Sequence, residues 1–182
     1  METKQPSLLR EMAHFAFLTL AIIVPIRLFI AEPFIVSGAS MEPTFDTGEY
    51  LVVDRLTYHF EEPERGDVII FRYPKDPSKY FIKRIIGLPG ETVEIRQGEV
   101  TIKNKAYPKG LALDQSYVRF GREDSGEVTL GAEEYFVMGD NRAASSDSRA
   151  WGALPRDNII GRAFLRLFPL PKADPLPGAL EK

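Results

Sequence analysis

The 19 residues from Ala13 to Ala31 are predominantly apolar, broken by His14, Pro25 and Arg27, and they constrain this chain more than any other stretch. As an α-helix rising about 1.5 Å per residue they reach roughly 28 Å, against a bilayer hydrocarbon thickness of roughly 30 Å. Pro25 lies near the far end, where a missing N–H is tolerated, and Arg27 can extend its charge to the interface. Residues 13–31 therefore read as a transmembrane helix, with 1–12 as a short segment before it. A cleaved leader and a buried core helix are the alternatives. A leader ends in small residues one and three positions before the cut, and a cut after Ala31 puts Phe29 at the second of these. This argues for an uncleaved anchor. Lys4 and Arg10 precede the span and Arg27 sits at its far end, so charge favours a cytoplasmic N-terminus only slightly.

With 182 residues the chain has room for one compact domain and this anchor. A net charge of −3 without a basic cluster offers nucleic acid no electrostatic footprint. Cysteine is absent, which excludes disulfides and thiolate metal sites, and two separated histidines, His14 and His59, make a poor zinc site.

Beyond residue 32 the pattern is β, in runs rich in Val, Ile, Phe and Tyr closed by Gly and Pro. Strands are expected at 50–53, 67–73, 79–86, 134–138 and 159–168. Residues 92–96 and 100–103 flank Gln97-Gly98 as a hairpin. Residues 104–131 have weak pattern and read as a variable insertion. Pro169, Pro171, Pro175 and Pro177 crowd the tail, 169–182, which reads as flexible and unpacked.

Chemistry points first to Ser40, in Ser37-Gly38-Ala39-Ser40-Met41-Glu42-Pro43-Thr44, a few residues past the apolar stretch. A serine needs a base to take its proton. A Ser/His/Asp arrangement would have to use His59, and a lysine is the other candidate. Lys83, in Tyr80-Phe81-Ile82-Lys83-Arg84-Ile85-Ile86, shares a strand face with Phe81 and Ile85. Burial there depresses a lysine pKa. An ordinary lysine used as a base at pH 7 starts roughly 4.6 kcal/mol behind. Ile82 and Ile86 make the opposite face apolar as well, so Lys83 on an edge strand reaching solvent stays open. So does Ser40 as a turn residue between Gly38, Pro43 and Gly48. The run from Asp140 to Arg149 is a polar loop, suited to a solvated turn or to a network beside a site.

In order and content these pieces resemble the bacterial type I signal peptidases. The resemblance rests on Glu32-Pro33-Phe34 into Ser40-Met41-Glu42-Pro43-Thr44, on Arg65-Gly66-Asp67-Val68 to Tyr73-Pro74, and on Lys83-Arg84-Ile85-Ile86-Gly87-Leu88-Pro89-Gly90. Its last part is Gly139-Asp140-Asn141-Arg142 through Ser145, Asp147-Ser148-Arg149 and Trp151-Gly152. It runs from the anchor to about Phe168, apart from 92–131.

The resemblance implies a mainly β fold: a signal-peptidase-like β-sheet catalytic core at 34–91 and 132–168, a small β insertion at 92–131, and one N-terminal transmembrane helix. It implies a membrane-bound serine endopeptidase that removes signal peptides from exported preproteins after small residues, of the Ala-x-Ala type, with a Ser/Lys dyad. Ser40 becomes the nucleophile and Lys83 the general base, and Ser145 the hydroxyl that orients the Lys83 amine. Ser40 N–H serves the oxyanion hole. Gly38 stands where some relatives carry a second, hydroxyl donor, so that donor must come from elsewhere. Phe34, Val36 and Ile82 become walls of the substrate pocket, and Asp140, Arg142, Asp147 and Arg149 a structural charged network. No metal and no organic cofactor is implied. The implied partners are preprotein signal peptides emerging from the secretion machinery and the lipid bilayer. The implied location is the bacterial inner (plasma) membrane, crossed once, with residues 32–168 outside the cytoplasm. Rival readings are a mitochondrial inner-membrane peptidase relative, a self-cleaving Ser/Lys repressor-type protease, and a catalytically inactive membrane-tethered binding module of the same fold.

Overall fold

The computed structural model describes residues 8–25 and 31–180. A helix α1 (Leu8–Pro25) precedes the strands β1 (Ala31–Ile35), β2 (Tyr50–Asp54), β3 (Val68–Tyr73) and β4 (Asp76–Gly87). Next come β5 (Thr92–Arg96), β6 (Glu99–Lys103), β7 (Leu111–Ala112), β8 (Gly126–Thr129) and β9 (Glu134–Met138). A single turn of helix, α2 (Ser148–Trp151), leads to β10 (Leu154–Pro155), β11 (Ile159–Phe168) and β12 (Asp174–Pro175). The fold is mainly β, as expected. One sheet runs β1-β2-β11-β3-β4-β9-β10 with β12 added to β11, and a second runs β7-β6-β5-β8.

Both faces of the large sheet are covered. Val68, Ile70 and Ile82 pack with Val36, Met41, Phe45 and Leu51, while Ile69, Phe71, Phe81 and Ile85 pack with Tyr135, Val137 and Trp151. Strands covered on both faces read as continuous apolar runs, which is why β3 and β4 show little alternation. The question left open for Lys83 is thereby closed, because neither face of β4 at that position is solvent.

The 92–131 segment is a sheet of its own. The β5–β6 hairpin turns at Gln97-Gly98, and β7 and β8 come from the weakly patterned 104–131 stretch to pair with β6 and β5. Its core of Val93, Ile95, Val100 and Ile102 is continuous with Ile86, Phe136 and Met138, which anchors the insertion beside β4 and β9.

Three boundaries differ from the expectation. Residues 26–30 of the 13–31 segment, like residues 1–7, lie outside the described residues, and among the described residues no helix is long and apolar enough to cross a membrane. Ala31 belongs to β1, an edge strand that was not among the expected strands and that contains Pro33. At an edge a proline is tolerated, since its missing N–H faces away from the ladder. The tail is the third difference. Residues 169–180 are laid on the domain: β12 pairs with Leu165 and Arg166, and Pro177 is buried. The prolines stop it from forming a long element without stopping it from packing.

Candidate active site

Ser40 sits in a loop drawn closed at its base, where Val36 N–H donates to Glu49 O and Gly48 N–H donates to Val36 O, both at 2.9 Å. Inside the loop Phe45 N–H donates to Met41 O at 2.9 Å, and buried Met41 and Phe45 pin it to the core. Ser40 itself is half-buried, with its hydroxyl on a groove of about 300 Å³. Phe34, Val36, Ile82, Lys83 and Tyr80 line the same groove, so the expected pocket walls and the expected pair of reacting groups share one cavity.

Lys83 Nζ donates to Ser40 Oγ at 2.7 Å and to the Ile82 carbonyl at 2.7 Å. Lys83 as a whole is 4% exposed. Burial pushes its pKa down to about 8, although the charges of Asp147 and Asp140 pull the other way. At pH 7 the cost of deprotonating the amine then falls from roughly 4.6 to about 1.4 kcal/mol. A hydroxyl bonded to an amine that is so readily neutral is equipped for nucleophilic acyl transfer.

Ser145 differs from its expected role. Its Oγ is buried and makes no hydrogen bond to the Lys83 amine, which turns to the Ile82 carbonyl of its own strand; the Ser145 hydroxyl instead lies toward the Asp147 carboxylate and helps to lower its pKa. Ser145 also packs against Gly139. A Cβ on Gly139 would lie 2.3 Å from both Ser145 Oγ and Ser40 O, so the Ser40 loop and the 139–149 loop touch where only a glycine fits. Asn141 N–H holds the same Ser40 carbonyl at 3.1 Å.

Of the two groups expected near an oxyanion, Ser40 N–H makes no hydrogen bond among the described residues, while Gly38 N–H is committed to Thr47 Oγ1 at 3.0 Å.

The charged network forms as two pairs. Asp147 caps α2 and accepts from Gly139 N–H at 3.0 Å and from Arg149 Nη2 at 2.7 Å. Burial raises the Asp147 carboxyl, but the bonds from Arg149 and Gly139 outweigh it and hold the pKa below its usual value. Arg142 is buried and donates to Gly139 O at 3.0 Å, and Arg149 reaches Arg142 O at 2.9 Å. Asp140 belongs to the second pair, with Arg84, and accepts Thr44 Oγ1–H at 2.6 Å as well. Arg84 and Thr44 are absent from the sequence-derived site. The readable signal was an arginine inside an apolar strand, beside Lys83.

Against known proteins, the family model described as signal peptidase, peptidase S26 matches residues 9–168, and the chain belongs to that family. It is 38% identical over 178 residues to a signal peptidase I of Leptolyngbya laminosa, covering 93% of this chain and 84% of that one. It is 39% identical over 156 residues to a probable signal peptidase I-2 of Synechocystis sp., covering 82% and 68%. A signal peptidase I of Enterococcus faecalis, known from its crystal structure, is 30% identical with a TM-score of 0.48, covering 56% of this chain and 97% of that one.

Proposed function

We propose that this protein is a membrane-bound serine endopeptidase that cleaves N-terminal signal peptides from exported preproteins after small residues. Ser40 is the nucleophile and Lys83 the general base. The observation that carries the reading is the 2.7 Å bond from a buried Lys83 amine to Ser40 Oγ at the wall of a groove. Family membership supplies the substrate class.

In the first step Lys83 takes the Ser40 proton as Oγ attacks the scissile carbonyl, and Ser40 N–H stabilises the developing oxyanion. The lysine then protonates the leaving amine, and an acyl-enzyme remains. Water, deprotonated by the same lysine, releases the signal peptide. Phe34, Val36 and Ile82 leave room only for small side chains beside the bond, and an extended substrate is held as an added strand with side chains in alternate pockets.

The expected anchor belongs to the same reading. Leu9, Phe15, Phe17, Leu20 and Ile23 of α1 are exposed, which suits a lipid surrounding. The segment 13–31 then tethers residues 32–168 at the outer face of the plasma membrane, with the N-terminus in the cytoplasm, where cut sites emerge from the secretion machinery.

The test is cleavage of a reporter preprotein ending in Ala-x-Ala by detergent-solubilised protein. Wild type cleaves it, and Ser40→Ala and Lys83→Ala abolish cleavage. Full activity in Lys83→Ala would remove the dyad mechanism.

A further inference from the structure

We propose that the C-terminal segment 169–180 is a positioning strap that holds Ser40 and Lys83 in register, acting through Thr44 and Arg84. The inference rests on the peptidase reading above but concerns a part of the chain beyond the residues that the family model matches, which end at 168.

The strap touches the nucleophile loop first. Lys172 pairs with Asp46, and its Nζ lies 3.5 Å from Glu49 Oε1. Its backbone carbonyl accepts from Arg166 Nε at 2.9 Å. That same guanidinium holds Thr44 O at 2.9 Å and Glu49 Oε2 at 3.0 Å. Arg166 is thus shared between the strap and the segment that follows Ser40.

The second contact reaches the neighbour of the base. The Gly178 carbonyl accepts from Arg84 Nη1, which also donates to Gly66 O at 2.8 Å. Gly178 is pressed so closely on the loop that a Cβ there would stand 2.8 Å from Thr44 Cγ2 and 3.2 Å from Phe45 and Val68. Thr44 in turn bonds Asp140, the carboxylate partner of Arg84. One short stretch therefore closes a ring from the loop four residues past Ser40 to the guanidinium one residue past Lys83.

Removing the strap strips an acceptor from a buried guanidinium and uncovers Thr44 and Phe45, so both sides of the Ser40–Lys83 bond lose a fixed point. A displacement of the reacting groups by about 1 Å costs on the order of a hundredfold in rate.

The test compares the full chain with a chain ending at Ala173, measured well below the melting transition of each and checked by circular dichroism. The shortened, folded enzyme is expected to lose about a hundredfold in kcat with KM little changed. A synthetic peptide of residues 174–182 should restore kcat. A purely structural role would lower the melting temperature and leave kcat of the folded enzyme alone. Gly178→Ala is the second variant, and it decides alone if the shortened chain does not fold: its kcat falls as the new methyl displaces Thr44. Wild-type kcat in the folded short chain, or in Gly178→Ala where that variant decides, overturns the strap. A wild-type chain that leaves the reporter preprotein uncut defeats the peptidase reading instead.

Discussion

The Arg84 guanidinium meets the Asp140 carboxylate through two parallel hydrogen bonds, Nε to Oδ1 at 2.9 Å and Nη2 to Oδ2 at 2.6 Å, with the two side chains 1% and 0% exposed. This fork ties β4, beside Lys83, to the loop that begins at Gly139. Two charges this deep are held by geometry, because their mutual attraction offsets the desolvation only while every donor and acceptor is satisfied. Gly66 O, Gly178 O and Thr44 Oγ1 complete that satisfaction.

Asp140→Asn keeps the shape and removes the charge, leaving the guanidinium buried without its counter-ion. A loss of about 3–5 kcal/mol in unfolding free energy is expected, read from urea denaturation. A loss below about 1 kcal/mol, the range of exposed pairs, would show that water reaches the pair in solution.

How much of this was legible in the sequence depends on the range over which each feature is determined. The long strands were readable because runs such as Glu134–Met138 and Ile159–Phe168 carry their own β preference, and the Gln97-Gly98 turn announces its hairpin locally. Ser40 and Lys83 were readable together only through the resemblance, since Lys83 alone fitted an exposed edge as well as a buried face. The Arg84–Asp140 fork joins residues 56 apart, and no spacing rule predicts a partner at that distance. The tail prolines, Pro177 among them, misled because proline reports which ladder bonds a residue cannot make, whereas packing is decided by neighbours elsewhere in the chain.

Gly139→Ala tests the crossing of the two loops. Its methyl would fall 2.3 Å from the Ser40 carbonyl oxygen, a backbone atom held by Asn141 N–H, so the Ser40 segment must move. The expected result is a drop of about a hundredfold in kcat, the cost of roughly 1 Å of misplacement. An Ala variant with wild-type kcat would show that the loop yields without moving Ser40 Oγ.

Activity should follow the Lys83 amine. Its pKa of about 8 means that the basic form increases tenfold per pH unit up to that point and then saturates. The profile of kcat/KM for the reporter preprotein is therefore expected to rise from pH 6 and level off above about 8. A rise delayed to about pH 10 would place an ordinary, solvated lysine at the site.

The same depressed pKa ties the stability of the fold to pH. The folded protein releases the Lys83 proton near pH 8, whereas the unfolded chain holds it to about 10.5. Between these values the unfolded state binds more protons, so this group makes the fold more stable as pH rises through the window. Below the window the full penalty stands, about 3 kcal/mol for burying the charged form. Lys83→Met removes the penalty and keeps most of the volume, at the cost of hydrogen bonds to Ser40 Oγ and Ile82 O worth about 1 kcal/mol each. The inactive variant should therefore be at least as stable as wild type at pH 7, and its advantage should shrink, or reverse, as pH approaches 10. Thermal unfolding of the two proteins across that range measures it. A Met variant that is clearly less stable at pH 7 would mean that the folded protein stabilises the Lys83 charge, and the base would then have to be sought elsewhere.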